Sequence, residues 1–104
     1  MRGDTLSRAV LGLAALLIAF TGSARAAGVS EEAVLANSCG GCHGTDGASA
    51  GAMPSIKGKK KAFIKQSLLD FRDDKKKATV MNRIAKGYND KQIDMLADYF
   101  SAQK

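Results

Sequence analysis

Most of the chemistry this chain can offer sits in five consecutive residues, Cys39-Gly40-Gly41-Cys42-His43. Two thiols three positions apart, followed at once by an imidazole, form the C-x-x-C-H signature of covalent haem attachment. The spacing lets both thiols bond the vinyl groups of one porphyrin as thioethers, and His43 then reaches the iron from the same side. Other chemistries run short of residues. A structural zinc site needs four ligands, and the chain holds two cysteines and one histidine in all. A thioredoxin-like C-x-x-C belongs beside a βαβ pattern, which is absent here. A disulfide between Cys39 and Cys42 leaves His43 without a role. The expected cofactor is therefore one haem c, held by Cys39, Cys42 and His43.

No second histidine exists to take the opposite axial position. Methionine is a common partner there and raises the reduction potential. Met53 follows His43 by only ten residues, so the chain would have to turn round the haem edge at once. Met95 sits at helical spacing near the end of the chain and reads as core filler. Met81 has enough chain before it to reach the far face, and it is the expected ligand, with Met53 as the fallback. A metal-bound imidazole is usually oriented by a hydrogen bond from its other ring nitrogen. A carbonyl in the loop after the motif, stiffened by Pro54, could accept that bond; the plainer role for Pro54 is to shape a turn.

These groups need elements to position them. Ser30 reads as an N-cap followed by Glu31 and Glu32, and Leu35, Cys39 and Cys42 share a helical stripe, so a first helix is expected from about Glu31 to Gly40. Residues 44–58 are glycine-rich, hold the chain's one proline, and read as an ordered loop. Ile64, Ser67, Leu68 and Phe71 mark a second helix over about Lys60 to Arg72. Asp73 to Ala78 is a charged break, and Val80 to Lys86 is expected as a short helical turn ended by Gly87. Asn89 or Asp90 then caps a last helix carrying Ile93, Leu96, Ala97 and Phe100. No alternating strand pattern is found, and the predicted fold is all-α.

The first 26 residues read as a cleaved secretory signal peptide. Two arginines precede the apolar run Ala9–Phe20, and Ala24-Arg25-Ala26 supplies the small-residue cleavage signal. That run has 12 residues, short of the roughly 20 needed to span a bilayer. The mature domain is expected to be residues 27–104, exported to the periplasm and free of the membrane once the signal is cut. Losing Arg2, Arg8, Arg25 and Asp4 lowers the formal charge from +6 to about +4. Only 19 bulky apolar side chains and no tryptophan remain in those 78 residues. A domain this small usually needs a disulfide, a metal or another staple. A covalently held macrocycle would supply what the core lacks.

Taken together, these features resemble the class I c-type cytochromes over essentially all of residues 27–104. The resemblance rests on Cys39-Gly40-Gly41-Cys42-His43-Gly44, on Pro54-Ser55-Ile56-Lys57-Gly58, and on a closing helix with Leu96, Tyr99 and Phe100. It implies a small fold of three to five helices wrapped around one haem, in which the Pro54 carbonyl serves the haem histidine and the last helix crosses the first. Cys42-His43-Gly44-Thr45-Asp46-Gly47, Met53-Pro54-Ser55-Ile56 and the stretch from Ala78 to Tyr88 are similar, more narrowly, to the monohaem subunits of flavocytochrome c sulfide dehydrogenases. In that group the axial methionine aligns with Met81. The resemblance implies single-electron transfer, with electrons accepted from a sulfide-oxidising flavoprotein. A free carrier serving an oxidase or photosynthetic centre is the alternative, and an open-site haem enzyme or gas binder is a third reading. No residue reads as a catalytic base or nucleophile, so the chain alone is not expected to be an enzyme.

Lys57, Lys59, Lys60, Lys61 and Lys65 cluster after the loop, and Lys75, Lys76 and Lys77 form a second run. Such runs are commonly a solvated face; the alternative is a basic ring steering an acidic redox partner. Export, the modest charge and the lack of a binding motif argue against nucleic acid.

Overall fold

Helix α1 spans Glu31–His43, and its start is set locally. Ser30 is extended and its hydroxyl accepts from the Ala33 amide at 3.2 Å, with Glu31 and Glu32 in the first turn, where carboxylates meet the positive end of the helix dipole. The computed structural model describes Gly22 and residues 27–104. The expected leader, residues 1–26, therefore lies outside the described residues, Gly22 apart.

Helix α1 runs three residues past its expected end at Gly40. Gly40 and Gly41 are poor helix formers, but propensity is outweighed here. The helix closes only at Gly44, whose φ of 83° suits glycine and whose amide donates to the Gly40 carbonyl at 3.0 Å. The cysteine–histidine motif is thus the last turn of a helix rather than the start of a loop. A short 3₁₀ turn, Thr45–Gly47, follows. Helix α2 spans Lys61–Arg72, α3 is the short Met81–Ala85, and α4 spans Asp90–Ala102. Helix α4 opens with a capping box: Asn89 Oδ1 accepts from the Gln92 amide at 2.9 Å, and the Asn89 amide donates to Gln92 Oε1 at 3.0 Å. The described residues hold four α-helices and no strand, as the sequence predicts.

Helix α1 packs against α4, and α2 packs against both α3 and α4. The protein core is small. Among the described residues the buried apolar ones are Ala36, Ile64, Ala85, Ile93, Leu96, Ala97 and Phe100, and of their large side chains only Ile93 and Leu96 are wholly enclosed. Ala36 and Ala97 are in the cluster that joins α1 to α4, and small side chains there let the helices approach closely. Ion pairs fix the register of α2 on α4, with Lys61 2.7 Å from Asp98 and Lys65 2.8 Å from Asp94. Arg72, at the end of α2, meets Asp90 at the start of α4 at 2.6 Å. Each such exposed pair is worth little in stability, but together they tie α2 to α4 along its length. Among the described residues no helix is long and apolar enough to cross a membrane.

Candidate haem-binding site

Residues three and four apart on a helix are surface neighbours, so α1 lays Cys39, Cys42 and His43 along one face. That face forms a wall of a cleft of about 820 Å³, in the upper part of the roughly 300–1,000 Å³ range of small-molecule sites. Ile64, Leu96 and Phe100 reach it from the core, and Phe63, Leu68 and Phe71 line it from α2. Val80 and, from α3, Met81 and Ile84 close it, with Met53 and Pro54 from the loop. Apolar walls with two thiols and one imidazole at a single side fit a flat, largely apolar macrocycle held covalently. Both cysteines are free thiols, Cys39 half-buried and Cys42 exposed. Burial pushes the Cys39 thiol above its ordinary pKa, against the weaker pull of the Ser38 hydrogen bond. Among the described residues no three His, Cys, Asp or Glu side chains come together as a site for a bare metal ion.

His43 Nδ1 lies 2.6 Å from the Pro54 carbonyl oxygen. A carbonyl can only accept, so Nδ1 is the donor, and in the neutral imidazole Nε2 is the nitrogen that carries the lone pair. The loop that presents this carbonyl is held from behind. Gly47 O accepts from the Ile56 amide at 2.9 Å, the Lys57 amide at 3.1 Å and the Ser55 hydroxyl at 2.9 Å. The Gly58 amide donates to Phe100 O at 2.9 Å, and Tyr99 OH donates to Asp46 Oδ1 at 2.9 Å. That last bond, followed by desolvation, raises the pKa of Tyr99. Gly47 is buried at φ 78°, and a Cβ there would come 2.6 Å from Ile56 Cγ1 and 2.9 Å from Phe100 Cδ1. The Asp-Gly pair signals a turn in the sequence; its part as the anchor of the Pro54 loop is visible only in the fold.

The structure brings Cys39, Cys42, His43, Met53, Pro54 and Met81 to one cleft and leaves Met95 off its lining. Met81 opens α3 and is half-buried, whereas Met53 is exposed. Three further features escaped the sequence reading. Tyr88 lines the cleft and its hydroxyl lies 2.9 Å from the Ser38 hydroxyl. Lys76 folds over the cleft wall, 5.1 Å from the Phe71 ring centre and 5.9 Å from that of Phe63, a cation–π arrangement. The Asn82 side chain bonds three backbone groups. The lysines also divide: Lys61 and Lys65 are paired with α4, while among the described residues Lys57, Lys59, Lys60, Lys75 and Lys77 make no ion pair.

The cytochrome c family pattern matches residues 31–104. The chain is 46% identical over 71 residues to the cytochrome subunit of sulfide dehydrogenase from Chlorobaculum tepidum, an alignment covering 68% of this chain and 64% of that one. It is 37% identical over 75 residues to cytochrome c-552 of Acidithiobacillus ferridurans, covering 72% of this chain and 32% of the relative. It is 35% identical over 81 residues to cytochrome c-553 of Nitratidesulfovibrio vulgaris, covering 73% and 79%. The chain thus spans less than two thirds of the length of the first two relatives. With the attachment motif on a helical face, an apolar cleft before it and the family pattern running through both, the chain belongs to the cytochrome c family, as an all-α electron carrier built around one covalently bound haem c.

Proposed function

We propose that this cytochrome works in the periplasm as the haem subunit of a sulfide-oxidising complex, taking single electrons from a flavoprotein partner. The similarity to a cytochrome subunit of sulfide dehydrogenase carries that reading. In it, Cys39 and Cys42 would hold the haem covalently through their sulfurs, and His43 and Met81 would ligate its iron. Bound haem c supplies one reversible electron; the polypeptide supplies ligand geometry and a dry, apolar surround. The Pro54 carbonyl fixes the orientation of the His43 ring. The Met81 thioether raises the potential. Lys59 and Lys76, which border the cleft, and the unpaired lysines nearby give an acidic partner a basic approach to it.

Purification from the native source tests the assignment. Flavin and haem should travel together, and the mature chain should begin at Ala27 and carry the mass of one haem. A haem protein that elutes alone and without flavin would instead mark a free carrier. Ready CO binding in the ferrous protein, with no thioether–iron absorption in the ferric one, would mark an open-site protein.

A further inference from the structure

The segment that presents Met81 has little to hold it in place. Helix α3 has five residues and no side-chain cap at its start, and helices this short are not stable by themselves. The preceding stretch, Asp73 to Val80, is charged and exposed, with no buried apolar side chain. Beside the exposed bonds of Lys86 to Arg72 O and Asp74, what ties it down is the side chain next to Met81. Asn82 Nδ2 donates to Phe71 O at 3.2 Å and to Lys76 O at 2.7 Å, and Asn82 Oδ1 accepts from the Ala78 amide at 2.9 Å. One half-buried amide thus uses both protons and one acceptor site. It joins the end of α2, the middle of the charged break and the approach to α3.

We propose that Asn82 is the positioning residue for Met81: its three hydrogen bonds set where the thioether enters the cleft. The inference rests on Met81 as the sixth ligand, and the experiment separates the two. The full-length haem protein is prepared as wild type, Met81→Ala, Asn82→Ala and Asn89→Ala, the last breaking the remote capping box of α4. The readouts are the weak long-wavelength absorption of a thioether–ferric iron bond and the affinity of the ferric protein for cyanide.

Met81→Ala should abolish the absorption; if it does not, the ligand assignment falls and this inference with it. Asn82→Ala should weaken the absorption and tighten cyanide binding by about tenfold or more, the factor matching the loss of all three hydrogen bonds at the low end of their net worth. Asn89→Ala should lower the melting temperature and leave both readouts alone. If Met81→Ala abolishes the absorption while Asn82→Ala matches wild type, Met81 is the ligand and Asn82 does not position it. An equal cyanide effect from Asn89→Ala would reduce the role to general stability and overturn the proposal. Should Asn82→Ala fail to take up haem, the isosteric Asn82→Asp, which lacks both donors, is measured against the same expectations. Failure of both to load would make Asn82 a folding residue and overturn the assignment.

Discussion

Removing both attachment thiols should cost this protein most of its cooperative fold. Four apolar side chains on the cleft remain about half exposed when only protein packs against them: Phe63 at 55%, Met53 at 46%, Val80 at 44% and Ile84 at 43%. Complete burial of such a side chain is worth about 1.5–3 kcal/mol. Covering the exposed half of each is then worth about 1 kcal/mol, or about 4 kcal/mol for the four. Residues 27–104, 78 in all, correspond to a total stability of about 4–12 kcal/mol at typical values per residue. Loss of the haem surface is therefore comparable with a third to all of that stability. A Cys39→Ala, Cys42→Ala double variant should show reduced helicity by far-ultraviolet circular dichroism and a broad, weakly cooperative melt at 25 °C and above. A variant as helical as the haem protein, melting cooperatively with stability within about 1 kcal/mol of it, would refute the claim that the cleft lining depends on haem.

Gly47→Ala should destabilise by about 2–4 kcal/mol in urea titration, about 1 from the left-handed backbone and about 1–3 from overpacking against Ile56 and Phe100; a cost under about 0.5 kcal/mol would mean the loop is not anchored there. The Asp94 carboxyl is held below its ordinary pKa by the hydrogen bonds from Lys65 and then Lys61. Its contribution should be fully present above the unfolded aspartate value and fade as pH falls through the lower folded one. Melting curves of wild type and Asp94→Asn should therefore differ at pH 7 and converge in that acid window. If the unpaired lysines steer a partner, the bimolecular electron-transfer rate should fall steeply with added salt. A flat response would leave them a solvated face.

Local patterns made much of the fold legible. Ser30, Asn89 and the i, i+3, i+4 stripes of α2 and α4 all act within one or two turns, and the elements appear close to where those signals put them. The end of α1 did not follow local propensity, because Gly40 and Gly41 oppose a helix that nonetheless continues to His43. The gathering of Cys39, Cys42, His43, Pro54 and Met81 at one cleft was legible in residue types. Its supports were not. Asn82 bonds only backbone groups, which leave no trace in residue type, and the partners of Lys61 and Lys65 lie on another helix. A run of lysines looks uniform in sequence, whereas folding turns some into helix clamps, one into a lid over Phe71, and leaves others unpaired.

The two sides of the cleft are secured by different means, and that difference predicts an order of opening. The histidine side belongs to a 13-residue helix, and its Pro54 partner hangs on the buried Gly47 carbonyl and on one backbone bond from Gly58 to Phe100. The methionine side is a five-residue helix held by Asn82 and by Lys86, which donates to Arg72 O at 2.8 Å and to Asp74 at 2.6 Å. Those last bonds lie at the exposed surface, where water competes for every partner. Exposed hydrogen bonds with few buried apolar contacts mark the segments that open first. In the haem protein, amides of residues 78–84 should therefore exchange with solvent at least about tenfold faster than those of residues 36–43, a gap of about 1.4 kcal/mol in opening free energy. Equal protection of the two segments would show that the iron–thioether bond, rather than the polypeptide, sets the stability of the methionine side.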